Sequence, residues 1–231
     1  RERMAVLSWR DSSTALRPAL ALGHSRFSRD ESVSGYALAT ELASTQLVAS
    51  LAYIVRDGLQ LRGGGEFERL DTRYAGAADT TAARPDFDAR PRSDRQALWA
   101  DGTWESVHGL RVTVGLRSDD ASLVGARQWD PRTSLAYERG KLGLTASWGR
   151  YTQVAEPTFF RPVAPDAGFT PMRLEQLLLG AQWGGDTLGL RVELYEKWYE
   201  GLWQFDRRFQ PVGGGSGRAR GADAFLKWRP F

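Results

Sequence analysis

Leu110-Arg111-Val112-Thr113-Val114-Gly115-Leu116-Arg117 alternates without a break. Leu110, Val112, Val114 and Leu116 fall on one side of an extended chain, and Arg111, Thr113, Gly115 and Arg117 on the other. Successive side chains of a strand point to opposite faces, so the stretch is a strand with one apolar and one polar face. Wound as a helix, the same residues would scatter their charges around the whole circumference. Leu188–Tyr195 repeats the pattern: Leu188, Leu190, Val192 and Leu194 oppose Gly189, Arg191, Glu193 and Tyr195. Near the end, Ala222, Ala224, Leu226 and Trp228 alternate with Asp223, Phe225 and Lys227.

Working outward, strands are expected at Met4–Arg10, Thr14–Ser28, Gly35–Arg56, Leu59–Arg73, Asp94–Glu105, Pro131–Glu138, Leu142–Tyr151 and Met172–Trp183. With the three above, that makes about eleven. Gly35–Arg56 is long for one strand. A break near Ser44-Thr45 would spoil the order of the connections that follow, so it is read as one. Arg56-Asp57-Gly58, Val107-His108-Gly109, Arg139-Gly140-Lys141 and Gly184-Gly185-Asp186 are tight hairpin turns. Between them lie long connections at Tyr74–Ser93, Ser118–Trp129, Thr152–Pro171 and Gly201–Gly217. Short turns on one rim and long loops on the other are the habit of transmembrane β-barrels. A soluble sandwich or propeller has no reason to sort its loops this way, and no self-similar repeat of propeller-blade length is present.

Composition removes several other classes. The 231 residues hold 31 Lys+Arg against 28 Asp+Glu, a formal charge of only +3, with no like-charge block to grip nucleic acid. No cysteine is present, which excludes disulfides, thiolate metal sites and thiol nucleophiles. The two histidines, His24 and His108, are too few for a histidine metal site without carboxylate help, and no cofactor is expected. No apolar run approaches the roughly 18–20 residues of a membrane-spanning helix. The opening Arg1-Glu2-Arg3-Met4 has no signal-peptide core, so the chain is expected to be a mature or excised piece. Trp9, Trp99, Trp104, Trp148, Trp183, Tyr195, Trp198 and Trp228 fall near strand ends, where aromatics of a barrel form girdles at the headgroups.

The ordered pieces Trp99–Trp104, Val112–Arg117 with its Gly-Leu-Arg, Asp130–Tyr137, Ala146–Pro157, Glu175–Gly180, Leu190–Tyr199 and Gly215–Gly221 carry a family likeness. From Trp99 to Phe231 the chain resembles the middle of the barrel of TonB-dependent receptors; residues 1–98 fit the preceding strands by pattern alone. The resemblance implies an all-β, antiparallel transmembrane barrel, residues 1–231 being part of a 22-stranded wall without the family's plug domain or a signal peptide. It implies a receptor and transporter of the bacterial outer membrane, not an enzyme, that takes up a scarce solute such as an iron chelate or vitamin. The implied partners are outer-membrane lipid and lipopolysaccharide, a small-molecule ligand, and the TonB complex acting through the plug; nucleic acid is not among them.

Side chains were weighed for sites on the same terms. Gly215–Gly221 has the glycine spacing of a nucleotide loop but leads into a strand, not the helix that would meet a phosphate, so a glycine loop returning to the wall is expected. Glu66 and Glu68 share a face, as an acid pair would, but lie among Arg62, Arg69 and Arg73 as a charge-balanced wall would also arrange them. Neither histidine has a serine-hydrolase context. Ligand contact is expected instead at the loop after Leu142–Tyr151, from Arg150, Tyr151, Gln153, Phe159, Phe160 and Arg161, where aromatics beside arginine suit an anionic or aromatic ligand. Arg207, Arg208, Arg218 and Arg220 flank another long connection and suit either lipopolysaccharide phosphates or ordinary solvated loop charge. The competing readings are a porin-like channel or adhesin complete in this length, an outer-membrane hydrolase, and a soluble carbohydrate-binding β protein.

Overall fold

A computed structural model describes residues 1–33, 36–77, 87–121, 127–153, 171–185, 187–205 and 211–229. Among them it contains twelve strands. In chain order these are β1 (Glu2–Arg10), β2 (Leu16–Val33), β3 (Tyr36–Arg56), β4 (Leu59–Ala77), β5 (Phe87–Ala89), β6 (Arg92–Glu105), β7 (Leu110–Ala121), β8 (Gln128–Arg139), β9 (Leu142–Gln153), β10 (Met172–Gly184), β11 (Leu188–Phe205) and β12 (Pro211–Trp228). Each pairs antiparallel with its neighbour in sequence; only the short β5 stands off this path, beside β4. The sheet is a run of hairpins with β1 and β12 at its two edges, a partial barrel wall. The stretch expected as one strand is one from Tyr36 onward, β3 running 21 residues to Arg56 without a break at Ser44-Thr45; Gly35 lies outside the described residues.

The connections sort onto two rims. Residues 57–58, 106–109 and 140–141, and the connection between Gly184 and Leu188, turn the chain at one rim, where Gly58 and Gly109 have positive φ of 73° and 82°; Asp186 of the last expected turn lies outside the described residues. A Cβ on Gly58 would lie 2.3 Å from the Glu105 carbonyl oxygen, so the turn needs glycine's missing side chain as well as its φ. Three expected loops at the opposite rim are shorter than their sequence suggests. Tyr74–Ala77 still belongs to β4, β7 continues to Ala121, and most of Gly201–Gly217 is strand in β11 and β12. The reason lies in the faces. Beyond the apolar band Gly, Ala, Ser, Asp and Tyr replace the alternating leucine and valine, so the period-two signal fades while backbone pairing continues.

Cross-strand partners share a face, and the registers divide the wall cleanly. One face carries Leu20, Leu22, Leu47, Leu51, Leu61, Leu98, Val114, Leu116, Leu135, Leu144, Leu179, Leu190 and Leu194, all left exposed by the protein itself. At its turn rim this apolar face ends in Trp9, Trp104, Trp183 and Trp228, and toward the loop rim in Trp129, Trp148 and Trp198. From Leu59 to Phe67, tilted as barrel strands are, the band rises about 20 to 25 Å. Two expected girdle members are not in it. Trp99 pairs with Gly64 and Tyr195 with Leu178 on the polar face, because each is one residue out of phase with the tryptophans nearby.

Above the band, the apolar face gives way to ion pairs that join neighbouring strands: Arg69–Asp94 at 2.8 Å, Arg92–Asp71 at 2.6 Å, Arg26–Glu41 at 3.1 Å and Arg73–Glu41 at 3.3 Å. Asp88 of β5 accepts from both Arg73 and Arg90, and these guanidinium groups hold its carboxyl far below the usual aspartate range. Asp130, only 2% exposed, closes a different gap. The β8–β9 ladder stops at Arg132↔Gly149, and beyond it the Asp130 carboxylate accepts from the Thr152 N–H at 2.8 Å and the Thr152 Oγ1 at 2.9 Å. A side chain there takes the place of a missing backbone acceptor.

Three outcomes follow from this architecture. Leu135→Arg puts a charge on the apolar band and should weaken folding into bilayers by about 2–4 kcal/mol, whereas Ser134→Arg on the polar face should fold normally; urea titration of lipid-reconstituted protein reads the difference. Asp130→Ala leaves the Thr152 N–H unpaired, for a loss of about 1–3 kcal/mol in the same assay. Because the Asp88 carboxyl titrates lower when paired than when free, its hold on β5 is complete above the free value and is lost as pH falls below about 4. Amide exchange of β5 should therefore rise on acidification, and Asp88→Asn should remove that dependence.

Candidate functional site

The polar face offers two different surfaces. Across β4, β6 and β7 each cation is matched by an acid: Arg62–Asp101 at 2.8 Å, Arg117–Asp119 at 2.7 Å, Arg117–Glu66 at 3.2 Å and Arg95–Glu68 at 3.5 Å. Glu66 also accepts from Gln46 at 2.5 Å, and Glu68 from Ser44 at 3.0 Å. Both glutamates are thus engaged by separate partners and do not face each other as an acid pair. His24 is on the opposite face, 3.0 Å from Thr45 Oγ1, and His108 lies in the 106–109 turn. Among the described residues no group of three or more His, Cys, Asp or Glu could hold a metal ion.

Across β8 to β12 the polar face changes character. The Arg132 guanidinium sits 4.5 Å from the centre of the Tyr151 ring, and the Lys197 ammonium 5.3 Å from that of Tyr195. Arg132↔Gly149, Gly149↔Gln176 and Gln176↔Lys197 place these residues in one row across four strands. Tyr199 and Tyr151 both pair with Leu174 in the next row toward the loop rim. Glycines make room for the rings: a Cβ on Gly149 would come within 3.1 Å of the Tyr151 hydroxyl, and one on Gly221 within 2.3 Å of that of Tyr195. Trp99 lies over Gly64 in the same manner. Between the two surfaces runs a groove of about 410 Å³ lined by Arg62, Trp99, Asp101, Arg117, Arg132 and Tyr151.

The residues expected to touch ligand are not all brought together. Tyr151 borders this groove, and Gln153, the last residue of β9, follows on the same face opposite Met172. Arg150, just before Tyr151, points to the other face and meets Glu175 at 3.8 Å, which also accepts from Trp148 Nε1 at 3.0 Å. Phe159, Phe160 and Arg161 lie outside the described residues, as do Arg207 and Arg208. Arg218 pairs with Glu196 and lies opposite Trp198, and Arg220 faces Glu196 one row nearer the turn rim, both on the apolar face. Gly215–Gly221 is not a loop but part of β12, hydrogen-bonded along β11. Arg132, Gln176 and Lys197 were not anticipated. The alternation of Arg132 and Ser134 with Thr133 and Leu135 carried the signal for the first of them.

Known proteins supply the context for this geometry. No curated protein sequence matches the chain. Among solved structures, the siderophore receptor PirA of Pseudomonas aeruginosa superposes with a TM-score of 0.75 at 14% identity, over 97% of this chain and 44% of that one. The copper transporter OprC gives 0.75 at 16%, over 100% and 43%. The ferric-catecholate import receptor Fiu of E. coli K12 gives 0.75 at 12%, over 100% and 45%. The chain thus spans less than half the length of each of these structures. At such identities they show the fold alone. The sequence profile described as "TonB dependent receptor-like, beta-barrel" matches residues 6–231, and the chain belongs to that TonB-dependent receptor β-barrel family.

Proposed function

We propose that the chain forms part of the wall of a bacterial outer-membrane receptor that imports a scarce solute, such as an iron chelate or vitamin, by a TonB-dependent route. The observation that carries this reading is the division of the wall. One face is an exposed apolar band bounded by tryptophans, and the other is a charged and tyrosine-bearing surface. The band suits the hydrocarbon of a membrane, and the polar face suits a lumen through which a polar solute passes. PirA and Fiu, which share the fold, are described as receptors for a siderophore and a ferric catecholate, and OprC as a copper transporter.

Function here is binding and passage, with no bond made or broken. The loop rim and the polar face capture the solute, Tyr151 and Gln153 among the contacts. Energy from the inner membrane, delivered through a plug segment, then lets it through. On the outward face Arg218, opposite Trp198, and Arg220, one row nearer the apolar band, are suited to lipopolysaccharide phosphates, since guanidinium pairs well with phosphate. Deleting the gene in its own host should abolish uptake of one solute under scarcity, and inactivating TonB should abolish the same uptake. Uptake that persists without TonB, or ion conductance through an open pore, would support a porin-like channel instead.

A further inference from the structure

The row Arg132–Gly149–Gln176–Lys197 differs from the rest of the polar face in its charge balance. Arg62, Arg95 and Arg117 each have a carboxylate within 3.5 Å. Among the described residues Arg132 and Lys197 have none; each rests on a tyrosine ring instead. A ring engages a cation without neutralising it, so both keep their full charge for a third party. On this face, Ser147 to Gln153, Met172 to Leu178, Tyr195 to Tyr199 and Gly217 to Gly221 contribute no carboxylate. Glu175 and Glu196 in those spans point to the opposite face. Asp130 is buried and spent on Thr152.

Resting on the receptor reading above, we infer that this strip selects a net-anionic, aromatic chelate rather than a metal cation or a cationic chelate. Three strand spacings separate Arg132 from Lys197, about 14 Å. That breadth suits a ligand of several rings better than a bare ion. Tyr151, Tyr195 and Tyr199 offer ring faces and hydroxyls to such a ligand, and Gln176 between the cations offers a neutral donor and acceptor. The glycines beneath the rings keep them against the wall, which leaves the space above open. A soft or borderline metal ion needs imidazole, thiolate or clustered thioether ligands, and the strip supplies only Met172 at its edge.

The test is equilibrium binding to de-energised outer membranes that contain the protein as its own cell makes it. The probes are ferric tris(2,3-dihydroxybenzoate), which is anionic and aromatic, a cationic ferric trihydroxamate, and Cu²⁺. The wild type should bind the anionic probe in preference to the other two. The R132Q/K197Q variant should lose about tenfold or more of that affinity. The R132K/K197R variant, which keeps both charges, should retain it, and K227Q at the turn rim should change nothing. Heat-modifiable gel mobility identical to wild type confirms that each variant folds. Equal affinity of R132Q/K197Q for the anionic probe overturns the inference. So does a wild-type preference for Cu²⁺ or the cationic chelate, or binding of none of the three. If energised, TonB-dependent uptake persists while the charge preference fails, only the strip is refuted and the receptor reading stands.

Discussion

A backbone N–H or C=O facing hydrocarbon has no water to bond, and each one left unpaired costs several kcal/mol. Every feature of this wall follows from meeting that constraint with strands. Neighbours in sequence pair in long continuous registers, β3 with β4 from Ala37↔Ala77 almost to the Arg56 turn. Pairing continues past the apolar band, so the ladders end where water is available. Where one ladder stops early, between β8 and β9, the Asp130 carboxylate supplies the acceptor that Thr152 lacks. β1 and β12 are the two places where the described sheet has an unpaired side, and in hydrocarbon each such edge needs a partner.

Once the backbone is satisfied in this way, the side chains of the two faces are free to serve different solvents. The apolar face is plain: leucine and valine between rows of tryptophan, then arginine–carboxylate pairs above. These exposed pairs are each worth little, and their value lies in keeping long strands aligned where no lipid presses on them. The polar face is more varied because it does not have to match hydrocarbon. Its glycines let Trp99, Tyr151 and Tyr195 lie flat on the wall, and that flatness turns an ordinary strand surface into one that offers rings to a solute.

The pattern from Leu110 to Arg117 identified a wall strand because its period is set by the pleat, which no tertiary contact can change. The same pattern failed at Ser118–Ala121, Tyr74–Ala77 and Gly213–Gly217, where strand continues but Gly, Ala, Ser, Asp and Tyr take the place of alternating leucine and valine. The site was less legible for a related reason. Arg150 and Tyr151 are adjacent in sequence and both suit a ligand, yet the pleat sends them to opposite faces. Arg132 and Lys197 are far apart in the chain, and neither stands out among 31 basic residues until the registers align them.

By itself the sequence determined the strands that cross the apolar band, which of their faces meets lipid, the glycine turns at one rim and the family. These depend on local periodicity and on residue types at fixed short spacing. Only the tertiary structure decided how far the strands run beyond the band, that Trp99 and Tyr195 leave the girdle for the polar face, and which cations lack a carboxylate. Those properties belong to registers between strands. A register brings together residues from separate hairpins whose relation no local pattern encodes.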